Sequence, residues 1–157
     1  MRLLMVCMGN ICRSPMMEGW LVDAIAREPR LNDVEVDSAG IGAWHVGRPP
    51  DTRAVATAAR HGVDISMQRA RQLRPADFNH FDLILFADAD TLHDGRKLMP
   101  ELGDAESQRY LDWADVEGGR DIADPYYGDE KDFETAWRCV ADGGERIIQR
   151  LLRKGAA

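Results

Sequence analysis

The segment Cys7-Met8-Gly9-Asn10-Ile11-Cys12-Arg13-Ser14-Pro15 places a thiol, a guanidinium and a hydroxyl in one short loop, between an apolar run and a proline that marks a helix start. An ordinary thiol with a pKa near 8.5 is only ~3% ionised at pH 7, so Cys7 as a nucleophile needs positive potential beside it. Arg13 and the N-terminal end of the following helix supply that potential. The planar Arg13 fork can also grip two oxygens of a phosphoryl group and neutralise charge there, which a lysine does less specifically. Successive N–H groups of Met8, Gly9, Asn10, Ile11, Cys12, Arg13 and Ser14 can surround the same anion. Gly9 allows close backbone approach, and Asn10 is of a type that takes a left-handed conformation and turns amides inward. Read singly, Cys7 is equally a small buried residue at a strand end, and Ser14 equally a helix cap or a donor to the departing thiolate.

A second segment, Asp124-Pro125-Tyr126-Tyr127-Gly128, carries the complementary chemistry. Expelling a tyrosine oxygen from phosphorus is difficult unless an acid protonates it, an assistance typically worth about 10²–10⁴ in rate. Asp124 is the candidate acid. Pro125 restricts its backbone, and Tyr126 and Tyr127 offer walls for an aromatic ring. The plainer reading is an acidic loop with core tyrosines.

The elements that must position these residues follow from periodicity. Leu3-Leu4-Met5-Val6 reads as a strand ending in the glycine-bearing loop, and Ser14-Pro15 opens a helix whose Met17, Trp20, Leu21, Ala24 and Ile25 share one face. Val34 to Ser38 reads as a second strand, with Ala39-Gly40-Ile41-Gly42 as the turn after it and a helix from about Asp51 to His61. The apolar run Phe81 to Phe86 suits a strand covered on both faces, followed by a helix over about Ala89 to Leu98. Arg109 to Leu111 is a weaker strand candidate. Phe133, Trp137, Val140, Ala141, Ile147, Ile148 and Leu151 give a helical stripe between Asp132 and Lys154, interrupted by Gly143-Gly144, which either kinks the helix or permits close packing. Strands alternating with helices imply a parallel sheet covered on both faces by right-handed crossovers, with ligands at the strands' carboxyl ends. The loop from Cys7 to Ser14 lies at such an end.

A chain of 157 residues fits one domain, residues 1–157, whose core can hold it without disulfides or a structural metal. With 45% hydrophobic and 30% charged residues, disorder, collagen and coiled coil are excluded as classes. The apolar opening from Leu3 to Met8 is too short for a secretory segment or a membrane span, so a soluble cytoplasmic protein is expected. Three cysteines, Cys7, Cys12 and Cys139, cannot all pair within one chain, and reduced thiols are the default. A net charge of −7 argues against a general nucleic-acid or anionic-membrane surface. The charge is uneven: residues 48–74 carry six Arg against two Asp, whereas 77–134 carry 17 acids against five bases, a pattern of solvated surface or of partner steering.

Together these segments resemble the low-molecular-weight protein tyrosine phosphatases. Cys7 to Pro15 resembles that family's phosphate loop and Asp124 to Gly128 its general-acid loop. Asp37-Ser38-Ala39-Gly40, Trp44 to Asp51, Ala70-Arg71-Gln72-Leu73 and Phe81 to Leu85 also read as family segments, so the resemblance spans essentially the whole chain. It implies an α/β three-layer sandwich with a four-stranded parallel sheet, and metal-free, cofactor-free hydrolysis of phosphotyrosine in protein substrates, with inorganic phosphate as product. By the resemblance Cys7 is the nucleophile, Arg13 binds the phosphoryl group, and Asp124 protonates the leaving phenol and then activates water against the phosphocysteine. Ser14 assists the thiolate, and Asn10 and Ser38 support the loop. Ile11, Trp44, His45, Tyr126 and Tyr127 line the substrate pocket, and Cys12 is placed to form a reversible disulfide with Cys7.

Two positions depart from the family pattern. Gln68 stands where many members carry a histidine bonded to the loop asparagine, and Ala87-Asp88 replaces a frequent Met-Asp, with no role assigned to Asp88. His61 matches a recurrent family histidine and reads as structural. Two rival functions share the anion loop. A thioredoxin-coupled arsenate reductase needs two further cysteines in a mobile segment, where this chain has only Cys139; a phosphotyrosine-binding module without turnover would not need Asp124.

Overall fold

The computed structural model describes residues 1–118 and 120–155. The first apolar run becomes β1 (Arg2–Cys7), in which Leu3, Leu4, Met5 and Val6 are fully buried. A strand hidden on both faces belongs in the middle of a sheet. β1 pairs in parallel with β2 (Glu35–Gly40) on one side and β3 (Leu83–Phe86) on the other, and β4 (Glu106–Arg109) pairs beyond β3, giving the order β2-β1-β3-β4. The expected four-stranded parallel α/β architecture is borne out.

Between the strands lie α1 (Arg13–Ala26), a 3₁₀ turn at Pro29–Leu31, α2 (Thr52–Arg60), α3 (Asp77–His80), α4 (Ala89–Arg96) and α5 (Tyr110–Trp113), and α6 (Glu130–Gly155) closes the chain. Alternation along the strands divides the core into two layers. Leu3, Met5, Leu83 and Leu85 pack with Met17 and Leu21 of α1, Trp113 of α5 and Val140 and Ile147 of α6. Leu4, Val6, Ile84 and Phe86 pack on the other face with Phe78 of α3 and Leu92 of α4. No helix among the described residues is long and apolar enough to cross a membrane.

The termini of the elements follow their capping residues. The Asp51 carboxylate accepts from Arg53 N–H at 2.8 Å and starts α2 one residue later than Asp51 itself. Asp88 and Thr91 form a reciprocal capping box that starts α4. His61, just past α2, bonds Glu134 at 2.9 Å and stacks on Trp137 of α6, a structural position.

Three sequence expectations are corrected. The strand proposed at Arg109 to Leu111 is Glu106–Arg109, and Tyr110 and Leu111 belong to α5. β4 is an edge strand whose Glu-Ser-Gln-Arg residues are exposed or half-buried, so it lacks the apolar signature of a central strand. Ala39 and Gly40 continue β2, pairing with Val6 and Cys7, rather than forming a turn. On α1, Met17 and Leu21 are buried, whereas Trp20, Ala24 and Ile25 are only partly covered. Gly143-Gly144 does not break α6. A methyl group on Gly143 would fall on the Tyr110 ring and one on Gly144 on the Trp20 ring, so the pair permits close packing against α5 and α1.

Candidate active site

β1 lies between β2 and β3, and at its carboxyl end the chain turns from Cys7 before entering α1. The turn rests on Asn10, which takes the left-handed conformation at φ 59°. Its buried amide is used fully. Oδ1 accepts from Arg71 N–H at 3.0 Å, and Nδ2 donates to Ser14 Oγ at 2.7 Å and Ser38 Oγ at 3.0 Å. Gln68 does not take part. Its Nε2 donates instead to Pro15 O at 3.0 Å, so the support expected from a histidine at that position comes from the Arg71 backbone and two serines. Gly40 lies so close that a Cβ there would stand 2.9 Å from the carbonyl carbon of Gly9.

Ser14 Oγ is 3.1 Å from Cys7 Sγ. Ser14 accepts from Asn10, and its own hydrogen has Ala39 O at 3.4 Å or a Cys7 thiolate as acceptor. Arg13 opens α1 with a side chain only 3% exposed. Its Nη1 donates to Asp88 Oδ2 at 2.6 Å and to Ile122 O at 2.8 Å. Nε has no protein acceptor among the described residues, and Nη2 has only Asp124 Oδ2 at 3.6 Å. One edge of the fork is therefore anchored and the other is open to a ligand. Burial acts against the Asp88 carboxylate, but hydrogen bonds from Arg13 and the Thr91 N–H outweigh it and hold its pKa below the ordinary aspartate value. Burial, reinforced by the charges of Asp51, Cys7 and Asp124, pushes the Cys12 thiol well above its ordinary pKa.

The segment before α6 returns across the end of β3, where Ile122 N–H donates to Ala87 O at 2.8 Å. Beyond it Asp124 is turned by its own loop, Oδ1 accepting from Tyr126 N–H at 3.1 Å. Cys7, Met8, Gly9, Ile11, Cys12, Arg13 and Asp124 line a single cavity of about 420 Å³, together with Trp44, His45, Tyr126 and Tyr127. Trp44 is 68% exposed and Tyr127 95%, so neither is a core aromatic. Asn10, Ser14 and Ser38 stand behind the loop. The candidate catalytic, pocket and loop-support residues thus gather in or directly behind this cavity, whereas His61, Gln68 and Cys139 lie outside its lining.

Asp88 was not among them. Its position, immediately after a strand and three residues before a threonine, was readable as a helix cap, but its bond to Arg13 depends on β3 lying beside β1, a contact across 75 residues.

A loop of backbone amides, a buried arginine with one edge open and a carboxylate 3.6 Å from it thus share one cavity with aromatic side chains. The model of the low molecular weight phosphotyrosine protein phosphatase family matches residues 2–157. The chain is 43% identical over 154 residues to low molecular weight phosphotyrosine protein phosphatase 1 of Drosophila melanogaster, covering 97% of this chain and 98% of that one. Among solved structures, a protein tyrosine phosphatase from Entamoeba histolytica with Hepes in its active site superposes with a TM-score of 0.91 at 30% identity, covering 98% of both chains. YfkJ from Bacillus subtilis superposes with a TM-score of 0.90 at 32% identity, covering 98% of this chain and 96% of that one. By sequence and by fold, the chain belongs to the low molecular weight phosphotyrosine protein phosphatase family.

Proposed function

We propose that this tyrosine phosphatase acts on phosphotyrosine in protein substrates, as one catalytic domain, with Cys7 as nucleophile, Arg13 as phosphoryl ligand and Asp124 as acid and base. The observation that carries the assignment is that these three side chains line one cavity, with the guanidinium edge free. Cys7 sulfur attacks phosphorus while the bond to the phenolic oxygen breaks and Asp124 gives that oxygen its proton. The Asp124 carboxylate then takes a proton from water, whose oxygen attacks phosphorus. The P–S bond breaks, inorganic phosphate leaves and the thiolate is restored. Ser14 donates to that thiolate, Asn10 and Ser38 hold the loop, and loop N–H groups from Met8 to Ser14 carry the phosphoryl oxygens. Ile11, Trp44, His45, Tyr126 and Tyr127 take the aryl ring.

The test compares kcat/KM for p-nitrophenyl phosphate and phenyl phosphate, with EDTA throughout. Cys7→Ser is expected to be inactive on both. Asp124→Ala is expected to lose far more on phenyl phosphate, whose leaving group needs the proton. A wild type inactive on both that still binds phosphate would remove the assignment.

In a reducing cytoplasm Cys7 and Cys12 stay thiols. Both face the cavity, and oxidation of Cys7 to a sulfenic acid followed by attack of Cys12 would close a protective disulfide with loss of water. Peroxide inactivation is then reversed by dithiothreitol, and irreversible loss at modest dose would contradict it.

A further inference from the structure

The general-acid loop has little of its own to hold it. Among the described residues, the Asp124 carboxylate meets only Tyr126 N–H and, at 3.6 Å, Arg13, and its side chain is 43% exposed. Its aim is therefore set by the backbone of Tyr126. That backbone is held from outside. Arg53, in the first turn of α2, donates from Nη2 to Tyr126 O at 2.9 Å and from Nη1 to Gly128 O at 3.3 Å. Between Ala123 and Gly128 these are the hydrogen bonds that the loop backbone receives from elsewhere among the described residues.

Arg53 is itself locked. Asp51 accepts from its backbone N–H at 2.8 Å, from Nε at 3.0 Å and from Nη2 at 3.0 Å, and the guanidinium lies 4.6 Å from the centre of the fully buried Phe133 ring of α6. The Asp51 N–H in turn donates to Ile11 O of the phosphate loop at 2.8 Å. A continuous path thus runs from Ile11 through Asp51 and Arg53 to Tyr126 and Asp124. We propose that Arg53, locked by Asp51, is a positioning residue that clasps the general-acid loop to the phosphate loop and sets Asp124 against the leaving oxygen. Asp51 neutralises its charge, so its contribution is geometric. A planar fork can reach two carbonyls and one carboxylate at once, which a lysine ammonium on a single point cannot reproduce.

The proposal rests on Asp124 as the acid, and the experiment separates the two. kcat/KM, which reports steps through departure of the leaving group, is measured for p-nitrophenyl and phenyl phosphate with wild type, Arg53→Ala, Arg53→Lys and Asp124→Ala. Phosphate binding serves as a check that the phosphate loop is intact. Arg53→Ala and Arg53→Lys are expected to lose at least tenfold more on phenyl phosphate than on p-nitrophenyl phosphate. Equal losses on both esters overturn the clasp, because a merely structural residue does not discriminate by leaving group. If Asp124→Ala discriminates and both Arg53 variants do not, the clasp fails while the acid stands. If Asp124→Ala does not discriminate, the acid assignment fails and the clasp with it.

Discussion

Asn10 decides the direction of the hydrogen bonds around the site. Since its Oδ1 takes the Arg71 N–H, both amide hydrogens must go to Ser14 and Ser38, and each serine must send its own hydrogen elsewhere. For Ser14 the acceptors within reach are Cys7 Sγ at 3.1 Å and Ala39 O at 3.4 Å, and an ionised Cys7 is the stronger of the two. The same accounting applies to Arg13. Its buried charge is balanced by Asp88, with side-chain exposures of 3% and 22%, and stripping one partner from such a pair typically costs about 3–5 kcal/mol. Asp88→Ala is therefore expected to lower thermal stability and to weaken phosphate binding together; a variant that changes neither would show that Ile122 O alone suffices for Arg13. Behind Ser38, three acids, Glu18, Asp37 and Asp77, share one cation, Arg71. Burial, then the charge and hydrogen bond of Asp37, raise the Glu18 pKa well above its ordinary value, to about 8. The folded state thus binds a proton there that the unfolded chain releases above about pH 4.3. Stability from this group is full below that value and is lost as pH rises toward 8. Glu18→Gln should flatten the decline in Tm between pH 5 and 8, and an unchanged slope would show that the proton is held elsewhere.

At the scale of elements, β1, α1, β3 and α6 were legible because each carries its own signature: an apolar run, a capped start or a helical stripe. β4 was not, because its polar Glu-Ser-Gln-Arg sequence is a strand only by pairing with β3. The site divides along the same line. Cys7, Arg13 and Asp124 announce themselves by type and local context, whereas Asp88 and Arg53 act on residues 75 and 73 positions away, and only the assembled fold brings them there. Gly143-Gly144 was visible but ambiguous until α6 was seen to run unbroken past Tyr110 and Trp20. This makes a prediction at that seam. Gly144→Ala gains about 1 kcal/mol of helix propensity, but its methyl group meets the Trp20 ring, and overpacking of this kind typically costs about 1–3 kcal/mol. The net effect should be a lower Tm with kcat/KM retained. A stabilised variant would mean that Trp20, only partly buried, swings away at little cost.

Across the whole molecule, a chain of net charge −7 has to attract a phosphoryl dianion. Long-range potential opposes this, so the attraction must be local: the buried Arg13, the N-terminus of α1 and the loop amides, all in a cavity where solvent screens poorly. These groups all lie in the one segment after β1, but that segment is held by Ser38 of β2, the Arg71 N–H and Asp88 beyond β3, which meet it only when the sheet is assembled. The unfolded chain has no such site, so an oxyanion that fills the loop must stabilise the fold as a whole. At 100 times its Kd the stabilisation is about 2.7 kcal/mol, which in a domain of this size corresponds to a rise in Tm of roughly 5–10 °C. Inorganic phosphate or vanadate should produce that rise in wild type and not in Arg13→Ala, measured by thermal denaturation at fixed ionic strength with sulfate-free buffer. If chloride at equal ionic strength raised Tm as much, the effect would be screening of the excess negative charge, and the cavity would not be the place where the anion is held.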